Sequence, residues 1–298
     1  MNFQKVSVVY FSGTGGTKRV ADAFVAALKQ RLLEVMALPI DCSSQCHHED
    51  DEQARFEASD AMILVYAVHA FDAPQPVYRW IEGVSGNGRH TAVISVSGGG
   101  DVWPNTGCRQ RLIASLTEKG FVVDYEKMMV MPCNWVVPVN DDMAMHLIQA
   151  LPGKVDKIVE KFLAGEKRHC LQQLSWLRRK ISEQEKIGAR SFAQKMTIDE
   201  KCSGCGWCAD YCPVNNIRLD KERQIPLFSD DCVMCFRCIY GCPRKAIHSE
   251  DFQVLKVGFN LKGVETRMAG KELKPVTECC KGIAWSGVRR YLDDSDGY

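Results

Sequence analysis

A chain of 298 residues is long enough for about two domains with cores of their own, which excludes a disulfide-stapled miniprotein. Charged residues make up 25%, hydrophobic ones 46%, and the formal net charge is +1, which excludes both a disordered chain and a polycation that coats nucleic acid. Fifteen cysteines are many and odd in number, and no basic-then-apolar leader precedes Val6, so a secreted disulfide framework is not expected and a cytoplasmic protein is. No apolar run reaches the roughly 20 residues that cross a bilayer.

Along residues 1–164, short β-rich apolar runs alternate with amphipathic helical patterns. Strands are predicted at 5–11, 34–40, 61–67, 91–97 and 122–131, with helices at 17–31, 77–82, 106–119 and 141–163. This succession predicts an α/β fold, a doubly wound, five-stranded parallel sheet whose ligand sits beyond the carboxyl ends of the strands. Between the first strand and the first helix stands Ser12-Gly13-Thr14-Gly15-Gly16-Thr17. Glycines let the backbone present bare N–H groups, the hydroxyls add donors, and the helix start adds a positive dipole, so the loop can hold a phosphate without lysine or metal. It matches neither the G-x-G-x-x-G dinucleotide fingerprint nor the triphosphate loop. Residues 47–52, His-His-Glu-Asp-Asp-Glu, read as a solvated helix start rather than a metal site.

Residues 165–195 form a basic helical connector, with Leu171, Leu174, Leu177 and Ile181 on one stripe and Arg178, Arg179 and Lys180 beside it. It is expected to lay one face on a domain. Beyond it comes an internal repeat with an offset of 30 residues. Cys202, Cys205, Cys208 and Cys212, followed by Pro213, recur as Cys232, Cys235, Cys238 and Cys242, followed by Pro243. Three thiolates spaced by two residues wrap three corners of a cubane, and the fourth points away toward a neighbouring one. The expected ligand sets are therefore crossed: Cys202, Cys205, Cys208 and Cys242 for one cluster, Cys232, Cys235, Cys238 and Cys212 for the other. A zinc site gives no reason for the third cysteine at the same spacing or for the proline. Residues 251–298 form an extension of unassigned role. There 252–261 suggest a strand pair, Cys279 and Cys280 read as structural thiols, and 293–298 as a loose end.

Both halves resemble known families. The repeat resembles the two-cluster ferredoxins over residues 196–250, a small α+β domain with two 4Fe-4S clusters. The loop at 12–17 is similar to the [TS]-x-T-G-x-T phosphate loop of flavodoxins, and with the five-strand alternation the resemblance covers residues 3–164. It implies FMN, with its phosphate on this loop and its ring between the loops after the third and fourth strands. Here those are residues 68–74, with Val68, His69, Ala70 and Phe71, and residues 97–105, with Ser97, Gly98, Gly99, Gly100 and Trp103. Phe71 and Trp103 are expected to face the ring, and His69 to be a satisfied loop histidine. Unlike ordinary flavodoxins, these loops carry only Asp72 and Asp101 as acids. The whole chain resembles flavodoxin-ferredoxin fusion proteins of anaerobic bacteria and archaea. That implies an electron-transfer protein linking two-electron and one-electron carriers. Its partners would be redox proteins or a small-molecule donor or acceptor, with a homodimer left open and no nucleic acid. The rival reading is a flavin-dependent reductase of an organic substrate, for which no acid/base pair and hence no catalytic residue is found.

Overall fold

The computed structural model describes residues 1, 3–41, 50–134, 139–169, 176–222, 224–249 and 260–294. Cys42, Cys46, His47 to Glu49, Cys170, Leu171, Leu174, residues 252–259 of the strand pair expected at 252–261, and residues 295–298 of the loose end expected at 293–298 lie outside them, while Leu261 and Asp293 are helical.

Five strands, β1 (Lys5–Phe11), β2 (Glu34–Pro39), β3 (Ala61–Ala67), β4 (His90–Ser97) and β5 (Val122–Val130), form one parallel sheet in the order β2-β1-β3-β4-β5. That is the flavodoxin-like doubly wound order, with its switch point between β1 and β3. Side chains alternate along each strand, so Val6 and Val8 face one layer of helices while Val9 and Phe11 face the other. On the first face lie α1 (Gly16–Gln30) and α5 (Asp141–Leu163), which bury Val20, Phe24, Leu147 and Phe162. On the second lie α2 (Asp50–Glu57), α3 (Gln75–Glu82) and α4 (Gln110–Glu118), which bury Phe56, Val77, Ile81 and Leu112. Both faces being covered explains why β3 reads as a continuous apolar run.

Downstream, α6 (Trp176–Gln194) leads to a small α+β unit. Its elements are β6 (Met196–Ile198), α7 (Trp207–Asp210), β7 (Ile217–Leu219), β8 (Pro226–Phe228), α8 (Arg237–Gly241) and β9 (Ile247–Ser249). The chain then returns to the large sheet through α9 (Leu261–Met268), α10 (Val276–Cys279) and α11 (Ser286–Asp293). Cys280, Val288 and Tyr291 are buried in the α1/α5 core, and Arg267 grips Asp141 with two bonds of 2.7 and 2.8 Å. Gly100 packs on Gly287, where an added Cβ would come within 2.6 Å of backbone, so this returning segment buttresses the loop after β4. Among the described residues, no helix is long and apolar enough to cross a membrane.

Candidate functional site

The two cysteine runs fold alike. Each element of the first copy recurs 30 residues on, β6 as β8, α7 as α8 and β7 as β9, and the copies interlock through the antiparallel pairs β6·β9 and β7·β8. Positive-φ positions recur with the same offset: Gly204 and Met234, Gly206 and Phe236, Asn215 and Lys245. A side chain in that conformation costs about 1 kcal/mol or more, so Met234 and Phe236 are held there by their surroundings. Phe236 is buried, edge-on to Phe192 of α6 at 5.7 Å.

Thiols of the two copies interact with one another. Cys238 interacts with Cys235, Cys232 and Cys212, and also with Cys208, while Cys235 interacts with Arg237 ahead of Cys232 and Cys212. Cys208 instead neighbours Cys205 and Cys242. Burial pushes these thiols up, to about 11 for Cys208 and Cys232 and about 12 for Cys235. Thiolate is the ligating form, so metal binding must drive the protons off. Backbone N–H groups already point at the fourth sulfur of each copy, Asn216 to Cys212 at 3.2 Å and Ala246 to Cys242 at 3.4 Å. Such bonds tune cluster potentials. Among the described residues no three metal-binding side chains converge on a single-ion point; a cubane spreads its four thiolates over four irons.

A cavity of about 790 Å³ opens beyond the carboxyl ends of the sheet. One wall is built from the ends of β1, β3, β4 and β5: Ser12, Gly13, Thr14, Gly16 and Thr17, then Val68 to Phe71, Ser97 to Gly99, and Met131 to Asn134. The opposite wall is the cysteine loop Cys232 to Phe236, together with Gly188 to Phe192 of α6. Ser12 Oγ accepts from the Gly15 and Lys18 amides at 3.2 and 3.1 Å, which folds the loop, and α1 starts on Gly15 without a side-chain cap. That leaves a helix N-terminus presented to an anion. Two glycines are dictated by close approach. A Cβ on Gly13 would lie 2.4 Å from the Cys235 carbonyl oxygen, and one on Gly98 would lie 2.6 Å from the Cys133 Cβ.

Ala70 and Phe71 both have positive φ, 52° and 57°, in a two-residue turn closed by reciprocal 3.0 Å bonds between His69 and Asp72. Such turns normally carry Asn-Gly, so strain is stored at the cavity, as at many ligand clamps. Both acids of the ring loops are neutralised elsewhere. Asp72 accepts from Tyr78 Oη at 2.7 Å and pairs with Arg111, while Asp101 pairs with Arg109. The cavity thus offers hydroxyl and amide donors at one end and Val68, Phe71, Met131 and Val233 as apolar lining, which fits a planar aromatic group carrying a phosphate.

Most of the expected ring-loop and phosphate-loop residues line this cavity, with three exceptions. Gly15 caps α1 and Gly100 is packed on Gly287, so neither reaches the lining. Trp103, expected to face the ring, is 63% exposed and lies outside the lining, although Asn105 two residues on belongs to it. Tyr66 is buried, its hydroxyl donates to the Cys108 carbonyl at 3.4 Å, and it does not line the cavity. Asn134 has no sequence signal and its amide donates to Thr14 Oγ1; Tyr240 of the second cysteine run donates its hydroxyl to the Asn134 carbonyl at 2.7 Å, and Arg237 of the same run reaches the Gly13 carbonyl. The connector also gains a role, since α6 buries Ala189, Phe192 and Ala193 and forms part of the wall.

His69 is not the satisfied histidine expected. It hydrogen-bonds the Val233 backbone, but its buried Nδ1 has no protein partner, and burial lowers its pKa to about 4. Because that value lies below the ordinary 6.5 of the unfolded chain, the unfolded state takes up the proton first as pH falls. The His69 contribution is therefore complete above pH 6.5 and is lost toward pH 4, by up to about 1.4 kcal/mol per pH unit. Urea midpoints of the flavin-free protein measured across this range are expected to fall, and His69→Gln to remove most of that slope; an unchanged slope in the variant would assign it to other groups.

Residues 201–246 match the family described as 4Fe-4S dicluster domain. A ferredoxin from Methanothermococcus thermolithotrophicus is 34% identical over 55 residues, 17% of this chain and 92% of that protein. Solved structures similar to the chain include a flavodoxin from the domain Archaea, 16% identical, covering 53% of this chain and 97% of the other with a TM-score of 0.37. Oxidised flavodoxin 2 from Bacillus cereus is also 16% identical, over 53% and 99% of the two chains, with a TM-score of 0.38.

Proposed function

We propose, on the premise that the chain belongs through residues 201–246 to the 4Fe-4S dicluster ferredoxin family, that it passes electrons between FMN in the large cavity and two 4Fe-4S clusters in the cysteine repeat. The supporting observation is that one cavity is walled both by the phosphate and ring loops of the α/β unit and by Cys232 to Phe236 of the second repeat. Bound there, FMN supplies a store of two electrons that can leave singly, and each cubane holds one. The chain's own groups set the conditions. Gly13 lets the cysteine loop touch the phosphate loop, α6 shields the space from water with Phe192, and Asp72 and Asp101 keep their charges away from the ring site. Such an arrangement links a two-electron carrier to one-electron carriers of an anaerobic metabolism. The carrier reading is supported over a reductase because, among the described residues, His69 is the one imidazole of the lining, and burial lowers its pKa to about 4.

Anaerobic purification with iron, sulfide and flavin quantification should give about eight irons and one FMN per chain. A redox titration and stopped-flow reduction should then show electrons equilibrating between flavin and clusters. Colourless air-protected protein, zinc in place of iron, or a flavin that never exchanges electrons with the clusters would end this reading.

A further inference from the structure

We propose that Arg237 is a positioning residue for the phosphate loop, so that the second cysteine repeat preorganises the anion-binding end of the cavity and cluster loading sets the affinity for a phosphate-bearing flavin. The proposal rests on the reading of the cavity as the FMN site, and adds to it a coupling between the two kinds of cofactor.

The geometry is specific. Arg237 opens α8, between Cys235 and Cys238, and its guanidinium reaches across to the α/β unit. Nη2 donates to the Ser12 carbonyl at 2.5 Å and Nε to the Gly13 carbonyl at 3.2 Å. Nη1 donates to the Tyr211 carbonyl at 3.1 Å and pairs with the buried carboxylate of Asp41, just past β2. A peptide unit is planar and trans, so its N–H points opposite to its C=O. Holding two consecutive carbonyls toward the repeat turns the Gly13 and Thr14 N–H groups away from it, into the bowl of the loop. There neither amide meets a protein acceptor among the described residues. An arginine fork suits this task, because its donors are fixed in one plane.

The repeat itself marks the residue. With the offset of 30, the position equivalent to Arg237 is Trp207, which stacks on Tyr211 at 4.7 Å and fills the space above Gly241. Only the copy that meets the phosphate loop carries the cation. A cluster that fixes the Cys235–Cys238 turn fixes the base of Arg237 as well, and by linkage a phosphate held on the loop favours the loaded turn.

The test compares FMN with riboflavin, which lacks the phosphate, by quenching of flavin fluorescence in the anaerobically reconstituted full chain. Arg237→Gln is expected to weaken FMN about tenfold to hundredfold, the scale of one or two oriented hydrogen bonds to a charged group. Riboflavin should stay within about twofold, and Arg237→Lys, a single point donor, should fall between. Wild-type protein stripped of iron should show the same selective loss of FMN, which decides the matter should Arg237→Gln fail to retain its clusters. An unchanged preference for FMN over riboflavin in the variant and in the iron-free wild type would overturn the coupling alone. Binding of neither flavin by the loaded wild type would overturn the FMN reading and the coupling with it.

Discussion

Cys212→Ala is expected to abolish the cluster built on the other repeat, that of Cys232, Cys235 and Cys238, and to leave the one built on Cys202, Cys205 and Cys208. The reason is the crossed ligand set expected from the spacing, with which the interactions of Cys212 with Cys238 and Cys235 and of Cys208 with Cys242 agree. The mirror variant Cys242→Ala should lose the first cluster. Iron content should fall by about half in each, so iron alone does not distinguish them. The cavity does, because Cys232 and Cys235 line it and the three cysteines of the first run do not. Reduction of bound flavin by an electron donor that enters through the clusters should collapse in Cys212→Ala and persist in Cys242→Ala. The reverse pattern would mean that each repeat closes its own cluster.

Legibility in the sequence followed the range of the interactions. The parallel sheet was readable because both of its faces are buried, which makes β3 an unbroken apolar run and sets helical periods between strands. The cysteine repeat was readable because cluster chemistry dictates spacing within a dozen residues, and the recurring αL positions are the backbone counterpart of that spacing. The contacts that join the halves were not. Gly13 against Cys235, Arg237 against Ser12, and Tyr240 against Asn134 span from 106 to 225 residues, and no local pattern constrains them. A faint signal did exist in the repeat: the copies differ at 207/237 and 211/241, where one copy needs aromatic packing and the other a bridge to the α/β unit. Trp103 misled for the opposite reason. An aromatic in a ring loop is a local cue, but the loop also packs through Gly100 on Gly287 of α11, nearly 190 residues away, and Trp103 is left exposed.

The buried charge beneath the ring loops supports the largest expected loss of stability. Arg109 is 2% exposed and donates through Nε to Glu126, equally buried on β5, at 2.7 Å, to Ser95 Oγ at 2.9 Å, and to Asp101 in the loop after β4 at 3.1 Å. Burial works against the guanidinium charge, and the carboxyls of Asp101 and Glu126 act in its favour. Removing the guanidinium leaves the Glu126 carboxyl desolvated without its 2.7 Å ion pair, so Arg109→Met should cost about 3–5 kcal/mol. Replacing both partners by apolar groups avoids that penalty, and Arg109→Met with Glu126→Leu should recover most of the loss. Asp101 would then be freed from its tether, and because it sits on the loop that walls the cavity, the double variant should regain stability without regaining full flavin affinity. Urea denaturation of wild type, single and double variants, each followed by FMN titration, separates the two effects. A single variant that loses less than about 1 kcal/mol, or a double variant as unstable as the single, would show that the pair behaves as a solvated surface contact despite its burial.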